Sequence, residues 1–303
     1  LKGARLICKK HPNVQIIMKL FAFAMLSLVP SVTVCSVFSK EVDIYSGTYG
    51  NDDVEVFQPE EVMYHLAGRD GVFYEGAFTF DNYNPDKGGA GNRQGVFSGY
   101  STHFSSTEGT SLGFHCTGLN PGKNSSASKS FIFVMGPWES GEEFVAPQVT
   151  FQNLGDLSFI ADNMDMIGIT DGATAGTGGG RYGKADIVSF NNVGNIEFRG
   201  LNHGGIGFSR LNSLAFTNTG DISFTDMKMG YSSNGGAIFI NQGANSSLYS
   251  NPRDGNISFD HTGSIIFRNL VKTSYYMSSA GIFTNEGSIS FNDTENILFE
   301  NNT

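Results

Sequence analysis

Residues 216–224 read Phe-Thr-Asn-Thr-Gly-Asp-Ile-Ser-Phe (FTNTGDISF), and this stretch decides the fold because the chain writes it repeatedly. FQNLGDLSF (151–159), FNNVGNIEF (190–198), FDHTGSIIF (259–267) and FTNEGSISF (283–291) share its frame. FSRLNSLAF (208–216) and FNDTENILF (291–299) keep the phenylalanines and the aliphatic residue, with Asn212 or Glu295 in place of glycine. Internal repetition at this density governs how every other residue is read.

The frame is a strand, a turn and a strand. Side chains of a strand alternate between two faces. Leu214 and Phe216 therefore share one face, as do Ile222 and Phe224 beyond the turn, and Gly220 is expected to supply the backbone freedom of the corner. One such unit cannot bury its own apolar pair. Stacked units can, at the inter-strand spacing of about 4.8 Å. Phe190 to Phe216 is 26 residues, Phe216 to Phe239 is 23 and Phe259 to Phe283 is 24, each suited to one turn of a three-sided coil. The spacing predicts an all-β fold, a right-handed parallel β-helix. The glycine-rich stretch 170–183 and residues 242–255 read as loops extruded from coils, since insertions at corners need not enter the core. An antiparallel sandwich or barrel would also show short alternating strands. It gives no reason for Phe-x-Asn and Gly to return at near-constant positions. Residues 146–303 form the regular repeat region. Residues 40–145 only echo it, at Phe78-Thr79-Phe80, Leu112-Gly113-Phe114 and Phe131-Ile132-Phe133, and are read as irregular N-terminal coils with a polar cap. The one helix candidate, 55–68, is weakened by Pro59.

Composition agrees. Glycine supplies 39 of 303 residues and phenylalanine 26, which favours turns and strands over helices. The first 39 residues hold five Lys/Arg and no Asp/Glu. Met18-Lys19, the apolar run Leu20–Val29 and Val37-Phe38-Ser39 before Lys40 have the form of a secretory signal peptide over 18–39, with 1–17 an upstream extension or read-through. The apolar run is shorter than the roughly 20 residues that span a bilayer. Beyond the leader, 14 basic face 29 acidic side chains, which argues against nucleic acid as a partner. Cys8 and Cys35 lie in the leader, so Cys116 has no internal partner. It is either buried and inert or free to pair with another molecule.

Residues 235–238 read Gly-Gly-Ala-Ile, and Phe299 stands three residues before Asn302. Together with the leader and the phrases GDISF and GNISF, these resemble the chlamydial polymorphic outer membrane proteins, whose repeats carry GGA-[ILV] and Phe-x-x-Asn. Gly235, Gly236, Ala237, Ile238, Phe299 and Asn302 are the matching positions. Gly88-Gly89-Ala90 is followed by Gly91 instead, and most Phe–Asn pairs are one residue closer, as in Phe151/Asn153, Phe190/Asn192 and Phe216/Asn218. The resemblance implies an autotransporter: a signal peptide, a β-helical passenger exposed on the cell outer membrane and a C-terminal membrane barrel, which would follow a chain read here as the front portion of a longer protein. It also implies adhesion to host cells through a surface receptor or glycan.

Other chemistry is weakly signalled. Gly178-x4-Gly183-Lys184 approaches a phosphate-binding loop, but Ala185 stands where Ser or Thr would ligate magnesium, and a strand pattern follows instead of a helix. The glycine spacing also misses that of calcium-binding nonapeptides. The histidines at 11, 65, 103, 115, 203 and 261 lack metal-ligand spacing, and no cofactor is expected. Trp138 reads as a packing residue. Sequons at Asn124, Asn245, Asn256 and Asn292 matter only in a eukaryotic secretory pathway. Asp162 with Asp165, or Asp221 with Asp226, are the carboxylates a carbohydrate-active β-helix enzyme would need. Asp221 shares its turn position with Asp156, Asn195 and Ser264, which favours turn hydrogen bonding. The sequence therefore points to an adhesin passenger without catalysis, with a polysaccharide lyase or hydrolase as the alternative. A purely structural envelope protein is a third reading.

Overall fold

The computed structural model describes residues 40–53, 58–80, 95–120, 129–134, 147–171, 185–208, 211–229, 236–240, 255–272, 281–284 and 287–303. The leader, Trp138, Asn124, Asn245, Gly88–Ala90, the phosphate-loop lookalike and most of the two expected loops (172–183 and 242–254) lie outside the described residues. In the N-terminal coils the strands are Lys40–Tyr49 (β1), Gln58–Thr79 (β2), Gly95–Ser106 (β3), Leu112–Asn120 (β4) and Ser130–Val134 (β5). Next come Gln148–Leu154 (β6), Leu157–Met164 (β7), Ile167–Thr170 (β8), Ala185–Val193 (β9), Ile196–Leu201 (β10), Ile206–Phe208 (β11), Leu211–Thr219 (β12), Ile222–Thr225 (β13) and Lys228–Met229 (β14). Ile238–Ile240 (β15), Asn256–Thr262 (β16), Ile265–Arg268 (β17), Val271–Lys272 (β18), Ile282–Thr284 (β19), Ile289–Thr294 (β20) and Ile297–Glu300 (β21) complete the set. The described part of the helix candidate is strand β2.

Nineteen strands form one sheet, and every registered pair is parallel. Antiparallel sandwiches and barrels are therefore excluded. The fold is a parallel β-helix with three sides. Side 1 stacks the first halves of β1 and β2, the second half of β3, then β6, β9, β12, β16 and β20. Side 2 stacks the second halves of β1 and β2, then β4, β7, β10, β13, β17 and β21. Side 3 stacks the first half of β3, then β5, β8, β11, β15 and β19. The stacking runs unbroken from the irregular coils into the regular ones: Phe104 lies on Phe151 and Phe114 on Phe159, each pair at 5.2 Å between ring centroids.

The frame works as its alternation demands. Leu214, Phe216, Ile222 and Phe224 are all buried, and so are their counterparts in the neighbouring coils. The rings build two ladders. On side 1 Phe190, Phe216 and Phe259 stack at 4.6 and 4.9 Å, within 2° of parallel. On side 2 Phe198, Phe224 and Phe267 stack at 4.9 and 5.4 Å. Offset-stacked rings at this distance add about 0.5–1.5 kcal/mol per pair beyond the burial of their area. In the coil of β20 and β21 the same positions are exposed, with Phe291 at 43% and Phe299 at 65%.

Three expectations need correction. The first concerns coil membership. Phe239 pairs with Gly207 and Phe283 on side 3, not with Phe216 or Phe259. The successors of Phe216 and Phe259 in their ladder are Phe259 and Phe291. One turn is thus 26 residues between Asn195 and Asp221, 43 between Asp221 and Ser264 and 32 between Asp260 and Asn292. The spacings of 23 and 24 measured a side-to-side step. The second concerns the frame itself, which marks two corners. The copies at 151, 190, 216, 259 and 291 run from side 1 to side 2, whereas those at 208 and 283 run from side 3 to side 1.

The third concerns Gly220. The left-handed residue of this corner is not glycine but the Asn of Phe-x-Asn: Asn153, Asn192 and Asn218 have φ of 56°, 55° and 52°, and His261 and Asp293 follow in the later coils. Asn tolerates this region because its short side chain bonds locally. Gly220 has an ordinary φ, and its value lies in close approach. A Cβ there would sit 2.6 Å from Asn195 Oδ1 and 3.0 Å from the backbone carbon of Gly194. Its bare N–H donates to both Val193 O (3.1 Å) and Gly194 O (3.0 Å) of the coil before. Glu295, the non-glycine occupant of the position, donates to Thr262 O alone among the described bonds.

Candidate functional surface

The matching positions of the resemblance sit in the scaffold. Gly235 lies outside the described residues. Gly236, Ala237 and Ile238 enter β15, where Ala237 and Ile238 are fully buried. Ala237 O accepts from Gly205 N at 2.8 Å and Ile206 N at 3.1 Å, tying this coil to the one before. The register places Gly205, Ala237 and Gly281 in one row, each just before an isoleucine. That row abuts the ring ladder of side 2: a Cβ on Gly205 would meet the rings of Phe224 at 2.6 Å and Phe198 at 3.0 Å. Small residues there let the rings stack. The phrase GGIGF (204–208) is thus a structural copy of the GGA-Ile element that its sequence only half matches. Phe299 stacks on Phe267 in the side 2 ladder at 5.0 Å. Asn302 binds the preceding coil twice, accepting from Leu270 N at 2.8 Å and donating to Phe267 O at 2.9 Å.

The corner carboxylates also bond between coils. Asp156 Oδ1 accepts from Asn195 N (2.8 Å), Asn195 Oδ1 from Asp221 N (3.0 Å), and Asp221 Oδ1 from Ser264 N (2.8 Å). Each side chain satisfies the backbone of the next coil, so the expected turn role is in fact a ladder running along the solenoid. Asp226 accepts from Asn269 Nδ2 at 2.7 Å at the second corner, where both residues have left-handed φ. Asp162 lies 3.3 Å from His115 Nε2, and Asp165 lies 3.5 Å from Asn202 Nδ2 and 4.0 Å from His203 Nε2. The structure does not draw Asp162, Asp165, Asp221 and Asp226 into one cluster; they are spread over two corners and several coils. Among the described residues no group of three or more His, Cys, Asp and Glu side chains is placed to hold a metal ion. Cys116 is buried, its thiol 3.1 Å from Gly118 O, and burial raises its pKa.

Outer positions divide by side. The short strands of side 3 are buried on both faces in β5, β8, β11 and β15. Sides 1 and 2 alternate buried and accessible residues, so their outer rows meet solvent. On side 1 one outer row holds Gln152, Asn191, Thr217, Asp260 and Asn292, flanked by the left-handed Asn153, Asn192, Asn218, His261 and Asp293. Asn192 Nδ2 donates to Asn153 Oδ1 at 2.9 Å, and Asn292 Nδ2 to Asp260 Oδ1 at 2.5 Å. His261 lies between Asp260 (2.9 Å) and Asp293 (3.2 Å). The result is a solvated strip of amides, hydroxyls and carboxylates repeating at the strand spacing. Sequence reading identified the scaffold of this strip but not the strip, because only the register shows which polar residues align.

No family model matches the chain, and searches of the curated proteins and of the solved structures likewise found no match.

Proposed function

We propose that this chain is the surface-exposed passenger region of a bacterial autotransporter-type outer membrane protein, and that it acts as an adhesin by binding a receptor or glycan on host cells. The observation that carries the reading is the division of labour in the coils. Inward residues and corner ladders are committed to stacking, while sides 1 and 2 offer long rows of solvated hydrogen-bonding groups. Repeated amides and hydroxyls at a fixed spacing suit an extended ligand with repeating polar groups, and a solenoid supplies the contact length. The resemblance carried by Gly235–Ile238, Phe299 and Asn302 supports the same reading and supplies the membrane context. The net acidic chain beyond residue 39 suits a partner other than nucleic acid.

The test is bead display. The chain, coupled to beads through an N-terminal tag, should bind host cells above uncoated beads. Substituting outer residues Asn191, Thr217 and Asp260 with Ala should reduce binding while leaving circular dichroism and unfolding unchanged. Binding that survives these substitutions moves the contact elsewhere, and beads that never bind cells refute the adhesin. Turnover of polysaccharide abolished by Asp162→Asn or Asp221→Asn would establish the lyase or hydrolase reading instead.

A further inference from the structure

The outer face of side 1 changes character in the first coils. The row that reads Ser189, Ala215 and Ser258 in later coils reads Glu41 on β1, Met63 on β2, His103 on β3 and Thr150 on β6, and the outer positions beside it hold Glu61 and His65 on β2 and Ser105 on β3. The polar residues among them form two parallel lines, each a carboxylate, an imidazole and a hydroxyl. Glu61 Oε1 lies 3.0 Å from His103 Nε2, and His103 Nδ1 lies 2.8 Å from Thr150 Oγ1. Glu41 Oε2 lies 3.9 Å from His65 Nε2, and His65 Nδ1 lies 3.2 Å from Ser105 Oγ. The first line joins β2, β3 and β6, and the second joins β1, β2 and β3.

His103 differs from the other described histidines in being only 4% exposed although it faces outward. A buried imidazole costs little while neutral, and a great deal once charged, because water no longer solvates the charge. The neutral ring suits Thr150, whose hydroxyl donates to Nδ1, while Nε2–H stands beside the Glu61 carboxylate without the alignment of a hydrogen bond. A second proton on Nδ1 turns that acceptor into a donor, so the Thr150 hydroxyl must reverse its role.

We propose that this network is an acid-sensitive latch: protonation of His103 loosens β3 from β2 and β6, while the coils from β9 onward keep their pairing. The titratable groups facing it from the described neighbouring strands are Glu61 and His65 on β2 and, one strand further, Glu41 and Asp43 on β1; β6 offers only the neutral Thr150 and Gln152. Burial pushes His103 down to about 4. Burial also pushes Glu61 up, which weakens it as a countercharge in acid. The folded state binds the His103 proton less readily than the unfolded chain. That contribution to stability is complete above about pH 6.5 and is lost as the pH falls towards 4. Glu61 acts in the opposite sense and offsets part of the loss.

The experiment is amide hydrogen exchange of the whole chain at pH 7 and pH 5, corrected for intrinsic rates, with the His103 ring followed by NMR. The opening constant of β3 and its neighbours should rise by up to about 20-fold at pH 5, the factor that a shift from about 6.5 to 4 implies less the share returned by Glu61. Amides in β12, β13, β16 and β17 should not follow. His103→Gln keeps a neutral donor and acceptor and should flatten the response. If that variant does not fold, Glu61→Gln should deepen the acid response, since the protonated ring then lacks its countercharge throughout. A His103 ring that titrates near 6.5, a loss of protection spread evenly over all coils, or an acid response unchanged in both variants overturns the proposal.

Discussion

Replacing Gly220 by Ala tests the physical account of the corner most directly. A Cβ at this position would stand 2.6 Å from Asn195 Oδ1, 3.0 Å from Gly194 C and 3.1 Å from Asn195 N, against an ordinary contact of about 3.4 Å or more. Two of these atoms are backbone and cannot swing aside, so the two coils must separate locally by several tenths of an ångström. Three bonds cross this point: Gly220 N to Val193 O and to Gly194 O, and Asp221 N to Asn195 Oδ1. Losing one of them costs about 1 kcal/mol. Overpacking adds about 1–3 kcal/mol. The expected loss is therefore about 2–4 kcal/mol, read from urea unfolding followed by circular dichroism. Asn218→Gly is the control. It keeps the left-handed φ available and should change stability by less than about 1 kcal/mol. Asn218→Val should cost about 1–2 kcal/mol through the left-handed backbone alone. If Gly220 served backbone freedom, as the sequence frame suggests, Asn218→Val would be mild and Gly220→Ala would cost only the about 1–2 kcal/mol of left-handed strain. A Gly220→Ala protein within about 0.5 kcal/mol of the parent would refute the close-approach argument.

The ring ladder predicts which substitutions cost most. Phe216→Ala removes a fully buried ring stacked on both sides and should cost about 3–5 kcal/mol. Asn302→Ala leaves Leu270 N without its side-chain acceptor and should cost about 1–2 kcal/mol, seen as faster amide exchange confined to β17, β18 and β21.

The fold was legible because a solenoid writes its contacts into the sequence. Phe216 lies on Phe190 and Phe259 for the same reason that the three frames look alike. What could not be read was the assignment of frames to corners. Phe239 and Phe283 carry the same local pattern as Phe216, yet they belong to side 3, and local alternation is identical on every side. Coil lengths of 26, 43 and 32 residues then defeat any constant period. The role of Gly220 was misread for a related reason. A glycine in a turn signals conformational freedom on its own, but the need for it came from the neighbouring coil, which has no local trace. The surface was less legible still. Asp156, Asn195, Asp221 and Ser264 looked like separate turn residues until the register placed them in one ladder. His103 gave no signal, because its burial on an outward-facing row depends on what surrounds it in three dimensions.

Inner and outer rows of the same strands are under different constraints. On side 2 the inner row reads Phe159, Phe198, Phe224, Phe267 and Phe299 without change of residue type. The outer row one residue earlier reads Ser158, Glu197, Ser223, Ile266 and Leu298, and the one after the rings reads Ile160, Arg199, Thr225, Arg268 and Glu300. Stacking explains the first row completely, because only like rings at like positions continue a ladder. It does not explain why the outer rows change chemical class from coil to coil. A purely structural envelope protein would gain from outer ladders of like residues, since cross-strand pairs of threonines or amides stabilise a sheet by about 0.2–1 kcal/mol each. Side 2 takes part of that gain, through Arg268 with Glu300 and Ile266 with Leu298, but no like-residue ladder runs the length of its outer rows, and on the proposed adhesin reading that variety serves to distinguish one partner from another. On that reading, stability and recognition fall to alternate residues of the same strands, and a change in an outer row should alter binding without disturbing the rings behind it.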